Sequence, residues 1–308
     1  MIQDPAIVFI HSGHSWYLPY ALKQARFANP SAEVVIIGDP CAGTGAKHCP
    51  ISAVSSPGAE AFRASYRHMS TNSQHFEMLC WLRWFYLLEY MKTSGRRAVF
   101  HMDSDVLMHS SVGEIDRTHG SVLCDVAYLI PDQRFESLNW TASAHMSYWT
   151  VEALEAFCAF ILRSFQPCEL LDQYRQKWHH HTENDVAGGV CDMTTLYLFA
   201  RAQGGDVANL SRVMNQSVFD DNVSLGGNHA DGKYLMEDGI KRIHFAGSAA
   251  YFTTSDDAQS AVKAHAIHFQ GAAKQHMQTY YRGSLHLKGW SRYELFKRLR
   301  QLRQKFAG

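Results

Sequence analysis

The chain has 308 residues, of which 46% are hydrophobic, 12% aromatic and 19% charged. That balance excludes low-complexity disorder and fibrous repeats, and a chain this long buries enough surface to fold without disulfides or a structural metal. Lys plus Arg equals Asp plus Glu at 29 each, which argues against a general nucleic-acid binder.

In chain order, the run Ala6-Ile7-Val8-Phe9-Ile10 predicts a strand covered on both faces, ending at His11, Ser12 and Gly13. A helix is expected over Tyr17–Ala28, stopped by Asn29-Pro30, and then a second buried strand over Val34–Ile37, ended by Gly38-Asp39-Pro40. Such a β-α-β start implies an open α/β sheet whose ligands lie beyond the carboxyl ends of its strands, where His11, Ser12 and Asp39 sit. Residues 40–60 read as a loop. Ser73–Ser94 predicts one long helix stopped by Gly95, apolar on more than one face. Ala98–Met102 reads as a strand running into Asp103-Ser104-Asp105. A strand at Asp125–Ile130, helices at Val151–Arg163 and Met193–Ala202, and short turn-rich segments over 206–250 follow. The last feature is a helix from Ser291.

Seven scattered cysteines without a Cys-x-x-Cys pair suit reduced thiols in a cytoplasm. The amino-terminal apolar run is too short and too close to Asp4 for a secretory signal, and no stretch reaches the ~18–20 apolar residues of a membrane span. A soluble cytoplasmic protein is expected.

Two constellations carry chemistry. Asp103 and Asp105, one residue apart after a buried strand, offer the oxygen ligands that Mg²⁺ or Mn²⁺ prefers alongside substrate phosphates; Ser104 allows the tight turn. The competing reading is a solvated turn. In His268-Phe269-Gln270-Gly271-Ala272-Ala273-Lys274, an imidazole suits Mn²⁺, a glycine permits close backbone approach to a phosphate, and an ammonium supplies a point charge for it. The bland reading of that segment is a structural His and a surface Lys.

Strand–Asp-x-Asp followed late by His-Phe-x-Gly-x-x-Lys resembles the GT-A glycosyltransferases, most closely the family-8 type. The resemblance implies an α/β fold with a GT-A-like open, mostly parallel (mixed) sheet flanked by helices. A nucleotide-sugar-binding half over 1–130, an acceptor half over 131–287 and a basic helix over 288–308 would make up the chain. By the same resemblance Asp103, Asp105 and His268 hold a divalent ion, Mn²⁺ or Mg²⁺, on the diphosphate of a UDP- or GDP-sugar. Gly271 and Lys274 then bind the diphosphate; His11, Ser12, Asp39 and Ser104 contribute to donor binding. Two departures stand out. Gln275-His276 replaces the usual Pro-Trp after the lysine, and Gly188–Thr194 keeps only Asp192 of an expected Asp-Gln-Asp. Asp192 is read as a catalytic group, facing acceptor or sugar hydroxyls or acting as a base, or else as a helix N-cap. Arg83, inside an apolar helix, needs an anionic partner, either the donor or a structural carboxylate. Whether the sugar's configuration is retained or inverted stays open.

His179-His180-His181 lacks a zinc-hydrolase spacing and reads as a polar loop near the acceptor. Leu295, Leu299, Leu302 and Phe306, with basic residues between them, form an amphipathic helix that either docks on anionic lipid through 291–306 or packs on its own domain. The expected partners are therefore a nucleotide-sugar donor and a glycan or lipid-linked acceptor. Two other functions fit parts of the pattern. One is a haloacid-dehalogenase-type phosphatase with Asp103 as nucleophile, Asp105 as acid/base, and Asp220-Asp221 or Asp256-Asp257 as metal carboxylates. The other is a non-catalytic nucleotide- or glycan-binding module.

Overall fold

A computed structural model of the chain describes residues 5–120, 123, 125–204, 206–228, 232–257 and 259–283. The expected basic helix over 291–306 lies outside them. Fourteen strands are described: β1 (Ala6–His11), β2 (Val34–Gly38), β3 (Lys47–Cys49), β4 (Ala98–Met102), β5 (Val106–Met108), β6 (Val126–Leu129), β7 (Ser143–Thr150), β8 (Val207–Asn209), β9 (Ser217–Phe219), β10 (Met236–Glu237), β11 (Ile240–Lys241), β12 (Ile243–Ala246), β13 (Ala249–Thr253) and β14 (Ala261–His268). The α-helices are α1 (Leu18–Ala28), α2 (Pro57–Ser65), α3 (Gln74–Ser94), α4 (Val112–His119), α5 (Val151–Ser164), α6 (Glu169–Glu183), α7 (Asp192–Ala202) and α8 (Met277–Tyr280).

The main sheet has seven strands in the order β3-β2-β1-β4-β7-β6-β8. Only β7 runs against its neighbours in this sheet, so the sheet is mixed and mostly parallel, as the sequence predicts. Strand alternation divides the core in two. Ala6 and Val8 face the layer that holds Phe62, Trp81, Phe157, Tyr174 and Leu196 of α2, α3, α5, α6 and α7. Ile7 and Phe9 face α1, α4 and a second sheet. That second sheet has the order β12-β13-β14-β5, with β9 added alongside β14. Continuous apolar strands follow from this double covering.

α3 spans the predicted helix: the Ser73 hydroxyl accepts from the Phe76 amide at the start, and Gly95 stops it at φ +68°. Two expectations fail. Residues 40–60 hold β3, a short 3₁₀ turn (Ile51–Ala53) and the start of α2, which opens with a Ser56 cap and Pro57 in its first turn. The three histidines 179–181 lie on the last turns of α6 rather than in a loop. Among the described residues no helix is long and apolar enough to cross a membrane.

Among the buried histidines are His101, His109, His119 and His265. Burial pushes their pKa values down, to about 4 for His101 and His119 and about 3 for His109 and His265. An unfolded chain takes up these protons near pH ~6.5, whereas the native state resists them until well below that. The stability contributed by keeping these four rings neutral is therefore expected to be complete above pH ~6.5 and to fall as pH drops from there toward 4. Urea midpoints at pH 7.5, 6 and 5 would check this; a constant midpoint would contradict it.

Candidate active site

The site forms where the two sheets meet. β4 ends at Met102 in the first sheet and β5 begins at Val106 in the second, so Asp103 and Asp105 sit on the turn between them. The turn closes with the Val106 amide donating to the Asp103 carbonyl at 3.2 Å, while the Asp103 amide donates to the His145 carbonyl at 2.8 Å. β14 pairs antiparallel with β5, setting His268 opposite Val106, and the Phe269 amide donates to the Asp105 carbonyl at 2.9 Å. This register brings the late His-Phe-x-Gly-x-x-Lys segment to the carboxylate pair.

Every carboxylate here meets a cation. Lys274 Nζ lies 2.7 Å from Asp105 Oδ2, and His268 Nε2 lies 3.6 Å from Asp105 Oδ1. Burial alone would raise the Asp105 pKa, but the His268 ring and the Lys274 ammonium hold it well below the usual carboxylate range. Burial likewise works against charge on His268, and Asp105 outweighs it, holding the ring's pKa above its ordinary value. Arg83 donates from Nη1 to Asp103 Oδ1 at 2.8 Å and from Nε and Nη2 to Asp192 Oδ2 at 3.0 and 2.5 Å. Burial disfavours its charge, yet Asp192 and Asp103 hold the guanidinium above its ordinary pKa. Arg83 thus joins Asp103, on the turn after β4, to Asp192 at the start of α7.

The N-cap reading of Asp192 fails: Cys191 occupies that position, and Asp192 is the first residue of α7. Its Oδ2 instead takes the two Arg83 donors and the Trp84 indole N–H at 3.0 Å, and the residue is 2% exposed. Two further ties fix the start of α7. The buried Lys177 donates to the Asn139 and Trp140 carbonyls at 2.7 and 3.2 Å and to the Thr194 hydroxyl at 2.9 Å. Residues 188–190 pair with 69–71 through Val190 N–Met69 O at 2.7 Å and Thr71 N–Gly188 O at 2.8 Å.

At the ends of β1 and β2, Asp39 Oδ2 accepts from the Gly13 amide at 2.6 Å, closing the loop that carries His11 and Ser12. Gly38 is required there: φ is +124°, and a Cβ would lie 1.9 Å from the His11 carbonyl oxygen. Burial lowers the His11 pKa, opposed by Asp39, Asp105 and Asp103, which places this ring within the field of the carboxylate pair. Gly271 sits at φ +58° with nothing within 4 Å of a Cβ, so its backbone conformation, not crowding, calls for glycine. Lys274 also lies 5.4 Å from the Tyr17 ring centroid.

The chemistry of Asp103, Asp105 and His268 suits a divalent cation: two carboxylates, and an imidazole whose Nδ1–H donates to the Asp221 carbonyl at 2.6 Å, leaving Nε2 facing Asp105. In the arrangement described, protein cations already neutralise the two carboxylates, and among the described residues no group of three or more His, Cys, Asp or Glu is spaced to hold an ion. A cation entering between them would have to displace Lys274 from Asp105. Of the carboxylates named for the phosphatase alternative, Asp220 and Asp221 lie behind His268 with their side chains on Lys241, and Asp256 and Asp257 lie in an exposed turn.

Sequence reasoning missed His101, His145 and Trp84 around the site. The polar His101 inside the apolar strand Ala98–Met102 was the available signal.

No protein-family model matches the chain, and no curated protein matches it. Among solved structures it is similar to mouse xyloside xylosyltransferase 1 in its apo form, at 8% identity and a TM-score of 0.45, covering 68% of this chain and 86% of that one. It is also similar to the galactosyltransferase LgtC in complex with donor and acceptor sugar analogues, at 17% identity and a TM-score of 0.42, covering 70% and 75%. The bifunctional glycosyltransferase WbbM in its apo form shares 12% identity at a TM-score of 0.47, over 97% of this chain and 52% of that one.

Proposed function

We propose that this chain is a metal-dependent, hexosyltransferase-like glycosyltransferase of the GT-A type, moving a sugar from a nucleotide-diphosphate donor to a hydroxyl of a glycan or lipid-linked acceptor. One observation carries the reading: His268 and Lys274, far along the chain, meet Asp105 at 3.6 and 2.7 Å on the turn that ends the central strand. A phosphate-binding ammonium, an imidazole and two carboxylates at the carboxyl end of a parallel strand form the set that a sugar nucleotide requires.

Asp103, Asp105 and His268 would hold Mn²⁺ or Mg²⁺, which when bound supplies Lewis-acid stabilisation of the departing diphosphate. Lys274, freed from Asp105 once the donor is bound, would pair with the diphosphate and stabilise the negative charge that grows there, so no protein acid is needed for departure. Gly271 leaves open space above its backbone for the same group. His11, Ser12 and Asp39 line the nucleoside end, with Ser104 on the turn beside it. Asp192 anchors Arg83, and Arg83 faces the reacting sugar while keeping Asp103 oriented. A UDP- or GDP-sugar is the donor class.

The test is nucleotide release from a panel of UDP- and GDP-sugars, with and without Mn²⁺, for the wild-type chain and Asp105→Asn. Release that needs the metal and falls by about 10³-fold in the variant is expected, because the lost electrostatic stabilisation is several kcal/mol. Full turnover in chelator would sink the proposal. A phosphoaspartyl group on Asp103 would favour the phosphatase instead, and tight nucleotide binding without release from any donor would favour a binding module.

A further inference from the structure

Behind His268 lies a cluster of charges that the proposed chemistry does not use. Lys241 is fully buried. Its ammonium donates to Asp220 Oδ1, to Asp221 Oδ1 at 3.2 Å and to the Asn222 carbonyl at 3.2 Å. Nζ also lies 5.2 and 5.3 Å from the Tyr234 and Phe252 ring centroids. Burying an ammonium and two carboxylates together is costly, and replacing such a group by apolar residues is often neutral or stabilising. Stability alone is therefore a weak reason for its presence.

Its contacts converge on one ring. Asp220 Oδ2 accepts from the His268 amide at 3.1 Å, and the Asp221 carbonyl accepts from His268 Nδ1 at 2.6 Å. The Asp220 carbonyl accepts from His145 Nε2 at 2.8 Å, and the His145 ring stacks on the His268 ring with centroids 3.9 Å apart and 16° between planes. A backbone carbonyl only accepts, so His268 Nδ1 must carry a proton and Nε2 is the nitrogen left to face Asp105, protonated in the cationic ring and bearing the lone pair in the neutral one.

We infer that the buried Lys241–Asp220–Asp221 cluster is a positioning device that fixes the tautomer and orientation of His268 toward the carboxylate turn. Lys241 holds the two aspartates, Asp220 holds the His268 backbone and the stacked His145, and the Asp221 carbonyl holds the ring. That His268 ligates a donor-bound cation rests on the function proposed above; its fixed tautomer does not.

Two variants separate positioning from general damage. In Asp220→Asn the side chain has one acceptor where two donors, Lys241 and the His268 amide, require acceptors. In Asp221→Asn the backbone carbonyl that orients His268 is untouched, although Lys241 again loses one negative partner. Nitrogen-15 NMR of the full chain in mildly alkaline buffer reports which ring nitrogen of neutral His268 is protonated, and Mn²⁺ electron paramagnetic resonance with UDP or GDP reports ion binding. Wild-type protein should show Nδ1–H. Asp220→Asn should shift the His268 signal and weaken nucleotide-dependent Mn²⁺ binding about 10–100-fold, the usual cost of losing a group that orients a ligand. Asp221→Asn should leave both nearly unchanged at a comparable loss of melting temperature. Wild-type His268 protonated mainly on Nε2 would overturn the inference even if Asp220→Asn fails to fold, as would identical behaviour of the two variants. If the tautomer is as stated but no Mn²⁺–nucleotide binds to the wild type, the positioning stands and the transferase reading fails.

Discussion

An Arg83→Met protein is expected to be less stable by about 3–5 kcal/mol, the usual cost of removing one partner from a buried ion pair. Asp192 is 2% exposed and would keep only the Trp84 indole on its Oδ2, leaving a nearly uncompensated carboxylate under the main sheet. Asp103, on the wetter side of the pair, would lose its guanidinium contact as well. The double variant Arg83→Met/Asp192→Leu removes both charges and should recover most of the lost stability, but none of the transferase activity. Chemical denaturation of the three proteins checks this. An Arg83→Met protein as stable as wild type would mean that Asp192 is not held by this contact.

Lys274→Ala is expected to move two affinities in opposite directions. With Lys274 gone, Asp105 keeps only His268 as a cationic neighbour, and Mn²⁺ alone should bind about tenfold more tightly. That figure discounts the Coulomb interaction for a pair partly open to water, and ~1.4 kcal/mol corresponds to tenfold. Mn²⁺ together with UDP or GDP should bind about tenfold or more weakly, because the ammonium proposed to receive the diphosphate is missing. Calorimetric titrations of the metal with and without nucleotide measure both. Parallel weakening of the two would show that Lys274 merely holds the turn together. Under the proposed function the same ion pair would make metal binding in the wild-type protein depend on nucleotide, because Lys274 would leave Asp105 only with a phosphate there to receive it.

Features with a local signature were legible in the sequence. Largely apolar runs gave β1, β2 and β4, a serine cap and a terminal glycine framed α3, and the carboxylate pair stood out because it directly follows a buried strand. α6 was not legible because its buried stripe, Leu171, Tyr174 and Lys177, includes a lysine and so breaks the apolar pattern. α2 was hidden in a Gly-, Pro- and Ser-rich stretch, although Ser56-Pro57 is itself a helix start. The site was partly legible. Asp103, Asp105, His268 and Lys274 come from two motifs, yet nothing local in either shows that β5 and β14 pair across more than 150 intervening residues. Lys241 gave no signal, since a lone lysine beside a glycine turn reads as solvated; only the three-dimensional fold buries it against two aspartates.

The two carboxylates belong to different sheets, Asp103 following β4 and Asp105 preceding β5. A one-residue slip of β14 along β5 would shift His268 by a strand rise of ~3.3 Å and turn its ring to the opposite side of the sheet. The hairpin ladder from β12 to β14 therefore acts as a ruler, and insertions or deletions inside its strands, at 243–246, 249–253 or 261–268, should be far more damaging to the chemistry than changes of equal length in the exposed turn at 255–257.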